Sequence, residues 1–233
     1  MSKQIELNTK AFDAALVRFR SISRRSLEII LREQARGVLR KVIDWTPPGG
    51  KKATGQAAKK RGEACVEGDI LKLMQPWAPL RLPADILRAA GMFVDEPSSQ
   101  SPAAIHKANR TKTGRVRRAI TPRIKVKKAD LAKLIRDKKR MVGFLASGWK
   151  PAAALLGVAV PAWVSRHSAP GVGAIRSTAS SIEVTATNKV DGAPALDMKR
   201  RVQSALDSQA AAMVRRIESF AAREAAKKAG FQA

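Results

Sequence analysis

Tyrosine is absent from this 233-residue chain, and aromatic residues together make up only 4% of it. Cysteine occurs once, as Cys65, and histidine twice, as His106 and His167. Acids are scarce beside bases, with 19 Asp and Glu against 45 Lys and Arg. Each shortage excludes something. A single cysteine rules out an internal disulfide, and with two histidines it leaves no ligand set for a protein-built zinc site. A lone thiol also suits a reducing compartment. No apolar run approaches the ~20 residues of a membrane-spanning helix. The opening MSKQIELNTKAFDAAL carries charges and no signal-peptide core, which predicts a soluble chain made in the cytosol, without membrane contact. The missing tyrosines and few phenylalanines leave no stacking platform of the kind single-strand binders use, and neither a helix-turn-helix signature nor a zinc finger is present. Paired carboxylates, a Ser/His/Asp set and a metal cluster are all wanting, so neither an enzyme nor a cofactor is expected.

What is present begins with charge. The net +26 and a pI near 11.3 draw such a chain to polyanions: nucleic acid, an anionic membrane or acidic protein surfaces. Hydrophobic residues reach 45%, but much of that is alanine. Thin, close-packed helix interfaces follow, with one core or one core plus a smaller appendage.

Phe12, Leu16, Phe19, Leu27, Ile30, Leu31, Val38 and Val42 recur at three- and four-residue steps and predict one long amphipathic helix over 11–43, with Thr9 or Asn8 as its cap. Its other face, with Arg18, Arg20, Arg24, Arg25, Arg32, Arg36, Arg40 and Lys41, reads as solvated. Trp45-Thr46-Pro47-Pro48-Gly49-Gly50 stops it. The following GGKKATGQAAKKRGE does not fit a phosphate loop, because G-x-x-x-x-G-K-[ST] is unmatched and no strand precedes it. A helix over 56–74 accounts for the same residues, with Cys65 as a small core residue and not a nucleophile. Its acids Glu63, Glu67 and Asp69, with Asp44 nearby, are the only local cluster a nuclease could use. They read as partners of Lys59, Lys60 and Lys72.

From residue 75 to residue 102, five prolines and a Ser98-Ser99-Gln100-Ser101 run predict an extended excursion, with one short helix from Ile86 to Phe93. The densest basic stretch follows. His106, Lys107, Arg110, Lys112, Arg115, Arg117 and Arg118 stand without an acid among them and read as a mobile arm, turned at Gly114, that contacts nucleic acid or an acidic partner. Ile120, Ile124 and Val126 alternate with polar residues and predict a strand over 118–127, either an edge strand or one irregular in its first half because of Pro122. A helix from about Asp130 then enters the segment KKRMVGFLASGWKPAAALLGVAVPAWVSRH, residues 138–167.

That segment holds Trp149 and Trp163, both read as packing anchors of a corner or as assembly anchors at a subunit interface. Pro151 opens a short helix to Leu156, Gly157 ends it, and VPAW runs extended. Ser165 beside His167 is adjacency in sequence only and makes no catalytic pair. APGVGAIRS reads as loop and 180–187 as a strand. Asp197 caps a last helix over 198–228, with Val202, Leu206, Met213, Ile217 and Phe220 as its stripe. There is no internal repeat or sustained heptad. The expected fold is α+β: long N- and C-terminal helices packed with a small, mostly antiparallel sheet, plus extended arms or loops. Composition divides the chain into a helical region (1–74), a Pro-rich excursion with the basic arm (75–117) and an α+β core with the C-terminal helix (118–233).

Three segments in order resemble a family of structural proteins from the head-to-tail joining and tail-completion region of long-tailed bacteriophages. They are VIDWTPPGGKKATGQAAKKRGEACVEGDI (42–70), HKANRTKTGRV (106–116) and KRMVGFLASGWKPAAALLGVAVPAW (139–163). The first helix and the Pro-rich excursion lie outside the resemblance. It implies a non-enzymatic virion protein of the neck, made in the bacterial cytoplasm. Identical subunits would form a ring beside portal, adaptor or tail proteins, within reach of packaged DNA. A non-specific nucleic-acid-binding or DNA-condensing protein is the alternative that the charge favours.

Overall fold

The computed structural model describes residues 8–23, 26–78, 86, 96–111, 115–116, 118–178, 182–191 and 197–228. The fold is α+β, and contacts divide the chain into two units. The terminal unit joins Met1–Ala58 to Gly143–Ala233, and the central unit is Lys59–Val142. These boundaries follow packing, not composition, and so fall elsewhere than the three segments read from the sequence.

In the terminal unit, α1 (Lys10–Ser23) and α2 (Leu27–Trp45) both pack on the long α9 (Met198–Lys228). The single helix expected over 11–43 is therefore two. Ser26 starts α2, its hydroxyl accepting from the Ile29 N–H at 3.4 Å. The apolar period runs through the break because both helices turn the same kind of face to α9. Phe12, Leu16, Ile30, Ala210 and Met213 form one core layer there. Leu39, Val42, Ile43, Trp149, Leu156, Val158, Met198 and Ala205 form a second. The arginine face is not wholly solvated. Arg36 donates to the Leu156 carbonyl at 2.5 Å, and Lys41 donates to Ser208 and Gln209 at 3.1 and 2.9 Å. A buried polar layer joins α2 to α9, where Gln209 donates to Gln34 at 2.7 Å.

Three short helices, α6 (Phe144–Ser147), α7 (Lys150–Leu156) and α8 (Ala162–Ser165), follow one another in this unit. The helix expected to run from Asp130 into the corner instead stops at Arg140, and Gly143 takes a left-handed φ of 103° before α6. VPAW is not extended to its end, since Ala162 begins α8. Gly157 ends α7 with φ 64°. The glycine-rich APGVGAIRS segment is strand β3 (Gly171–Ser177), antiparallel to β4 (Ile182–Asn188). Its glycines are there for close approach rather than for turning, because a Cβ on Gly173 would stand 2.5 Å from the Ala152 Cα of α7.

The central unit contains α3 (Gly55–Leu71) from Lys59 onward, β1 (Met74–Trp77), α4 (Pro102–Asn109), β2 (Ile124–Lys127) and α5 (Lys128–Arg140). β1 and β2 pair in parallel, Met74 opposite Ile124 and Trp77 opposite Lys127. The strand expected over 118–127 thus exists only in its last four residues, and its partner β1 starts at Met74, the end of the helix expected over 56–74, and runs into the expected excursion. Ile70, Leu73, Met74, Ile105 and Val126 are fully buried in this unit's core. Each such side chain contributes about 1.5–3 kcal/mol. The helix expected from Ile86 to Phe93 lies outside the described residues, Ile86 excepted.

Candidate functional site

The basic stretch does not form a free arm in the described residues. Ser101 accepts from the Ala104 N–H at 3.3 Å and Pro102 takes the first turn, so α4 forms where a mobile loop was expected. His106 sits on α4 and is buried, 7% exposed, instead of facing solvent. Lys107 on the same helix is exposed. Past α4, Arg110 bridges to Val116, and the Thr111 N–H donates to the Arg115 carbonyl at 2.9 Å. Arg118 is exposed. Lys112 and Arg117 lie outside the described residues.

Asp69, near the end of α3, holds this turn in place. Its side chain is 6% exposed and accepts from Arg115 Nε at 2.5 Å, Arg115 Nη2 at 3.4 Å, Lys72 at 2.9 Å and the Val116 N–H at 3.4 Å. Burial alone would raise the Asp69 pKa. The hydrogen bonds from Arg115, Lys72 and Val116 outweigh it and hold the carboxyl below the usual range. The acids of α3 are all paired: Glu63 with Lys59 at 3.7 Å, and Glu67 with Lys139 of α5 at 2.7 Å. The pairings Lys59–Glu63 and Lys72–Asp69 follow helical spacing. Those to Lys139 and Arg115 are long-range and leave no trace in sequence.

A cavity of about 350 Å³ opens beside this cluster, lined by Cys65, Asp69, His106, Arg110, Arg115 and Lys138 with apolar Val66, Met141 and Val142. Arg110 and Lys138 pair with no carboxylate among the described residues, and the His106 ring makes no hydrogen bond there. Burial lowers the His106 pKa, and Lys138 and Arg110 push it down further against a weaker pull from Asp69. The surroundings therefore favour the neutral imidazole. Cys65 is exposed rather than a core residue. Sequence reasoning passed over Asp69 as a clamp and Lys138 as a member of the cluster. The Ser101-Pro102 cap was the one local signal that His106 belongs to a helix.

The tryptophan corner lies in the terminal unit. Trp149 and Trp163 are buried, at 8% and 6% exposure, so neither ring offers surface to a partner in this chain. The Trp149 Nε1–H donates to Thr46 Oγ1 at 3.0 Å, and Thr46 donates to the Val42 carbonyl at 2.6 Å. Lys150 clasps the corner by donating to the Ser165 and His167 carbonyls at 2.8 and 2.6 Å. The Trp163 Nε1–H finds no acceptor among the described residues.

Among the described residues no group of three or more His, Cys, Asp or Glu is placed to hold a metal ion, and no helix is long and apolar enough to cross a membrane. No protein-family model, no curated protein and no solved structure matches this chain.

Proposed function

We propose that the chain is a non-enzymatic structural protein of a bacteriophage neck, assembling as a ring of identical subunits that joins or completes the tail at the head-tail interface. Its neighbours would be portal, adaptor or tail proteins, its location the virion, and packaged DNA would pass within reach of its cations. The observation that carries this reading is where the resembling segments lie. Two of them meet in one buried hydrogen bond, Trp149 Nε1–H to Thr46 Oγ1, between residues 103 positions apart. That part of the resemblance builds a core layer, as a scaffold requires, whereas His106, Arg110 and Arg115 of the middle segment line the cavity of the central unit. Mass spectrometry of purified virions tests the reading. The chain is expected there at a fixed low copy number, and its absence from particles would overturn the proposal.

Non-specific nucleic-acid binding is the second reading. The net +26 favours it, together with exposed Lys107, Arg110 and Arg118. It predicts duplex binding whose affinity falls steeply with salt.

A further inference from the structure

We propose that the cavity lined by α3, α4 and α5 of the central unit is a binding site for a phosphate group, held by Arg110, Arg115 and Lys138, with His106 in its wall. The inference stands apart from the neck reading, since it concerns the isolated chain whatever it assembles into. Three cations converge on about 350 Å³, and one acid, Asp69, faces them. Asp69 is already committed to Arg115, Lys72 and the Val116 N–H. It therefore orients the Arg115 guanidinium without neutralising the cavity, and Nη1 of Arg115 makes no hydrogen bond among the described residues. Arg110 and Lys138 come from separate elements and pair with no carboxylate among the described residues, so an anion entering between them would relieve their repulsion.

The geometry selects the anion class. Donors spread over separate elements suit a tetrahedral group that presents oxygens in several directions, more than a flat carboxylate. His106 adds a device. Burial, then Lys138 and Arg110, oppose its protonation, Asp69 is the one acid that favours it, and Arg115 and Cys65 line the same cavity. An oxyanion in the cavity opposes those effects, so binding should draw a proton onto the ring, and for an anion that does not itself titrate it should strengthen as pH falls.

Calorimetric titration of the full chain with inorganic phosphate tests the site. One phosphate per chain is expected. The double variant Arg110→Gln/Lys138→Gln should weaken it about tenfold or more. The control Lys60→Gln/Arg61→Gln removes the same charge from exposed positions of α3 and should change it less than about twofold. Equal losses in both would mean bulk charge only and overturn the proposal, as would the absence of saturable binding. Should the double variant not fold, the His106 ring proton in wild type serves instead. Sulfate, which does not titrate between about pH 8 and pH 5, should shift that signal and raise its midpoint. An unmoved signal would also sink the site. A short DNA duplex identifies the source of the phosphate. Duplex binding that phosphate competes away, and that the cavity variant loses beyond the control, makes a nucleic-acid backbone the ligand. Retained duplex binding with lost phosphate binding keeps the site and makes a small phosphate its occupant.

Discussion

Replacing Asp69 by asparagine keeps the shape of the side chain and removes its charge, so it isolates what the clamp contributes to the central unit. Asp69 is 6% exposed, and its two nearest contacts are the charge-assisted bonds from Arg115 at 2.5 Å and Lys72 at 2.9 Å. Breaking a buried ion pair costs about 3–5 kcal/mol when the orphaned partner stays dry. Here the partners do not stay dry. The Arg115 and Lys72 side chains are 58% and 41% exposed and regain water when released. Asparagine also keeps an acceptor for the Val116 N–H. A loss of about 1–3 kcal/mol is therefore expected, in the range of hydrogen bonds to charged groups. The pH dependence adds a second check. The folded carboxyl titrates below the usual range, so its contribution is complete above the unfolded value of about 3.9 and is lost as pH falls through the folded value. Urea denaturation followed by circular dichroism should show the full gap between wild type and Asp69→Asn at pH 7. The gap should narrow below about pH 4. Hydrogen exchange at neutral pH should place the loosening in peptides from 59–142. A variant as stable as wild type at pH 7, or a gap unchanged in acid, would refute the reasoning.

Other substitutions separate further parts of the account. Trp149→Phe and Thr46→Val each delete one side of the 3.0 Å bond, and the double-mutant cycle should return a coupling of about 1 kcal/mol; additive losses in thermal melts would mean the bond contributes nothing. Gly37→Ala would bring a Cβ to 2.7 Å from Gln209 Nε2, which is tied to buried Gln34, so melting temperature should fall despite alanine's better helix propensity. Gly68→Ala meets nothing within 4 Å and should raise stability by up to about 1 kcal/mol in urea titrations. Gly143→Ala forces a side chain to φ 103° and against the Trp163 carbonyl at 2.6 Å; a loss of at least about 1–3 kcal/mol is expected, read by the same denaturation curves.

The α+β class and the last helix, Met198–Lys228, are legible in the sequence because an apolar period carries them. The misread elements are those where tertiary contacts override local pattern. β3 looks like loop because Gly171 and Gly173 break a strand signal, yet Gly173 lets the strand lie against α7 and Gly171 lets it approach the Gly148 carbonyl. β1 is hidden by Pro76, which cannot donate to a ladder, and its parallel partner lies 50 residues downstream in register. The break at Ser26 is masked by two helices that share one apolar face. The candidate site was half legible. Charge alone picks out Arg110 and Arg115, but the burial of His106 depends on α4 packing, and Lys138 joins them only through the fold.

Assembly into a ring is read from the mass of the purified chain, alone and mixed with neck neighbours. Native mass spectrometry with light scattering and particle imaging should find one closed ring whose mass is an integral multiple of 25.2 kDa. A chain that stays monomeric in every mixture, and instead coats duplex DNA with a steep salt dependence, would contradict the neck reading and leave nucleic-acid binding in its place.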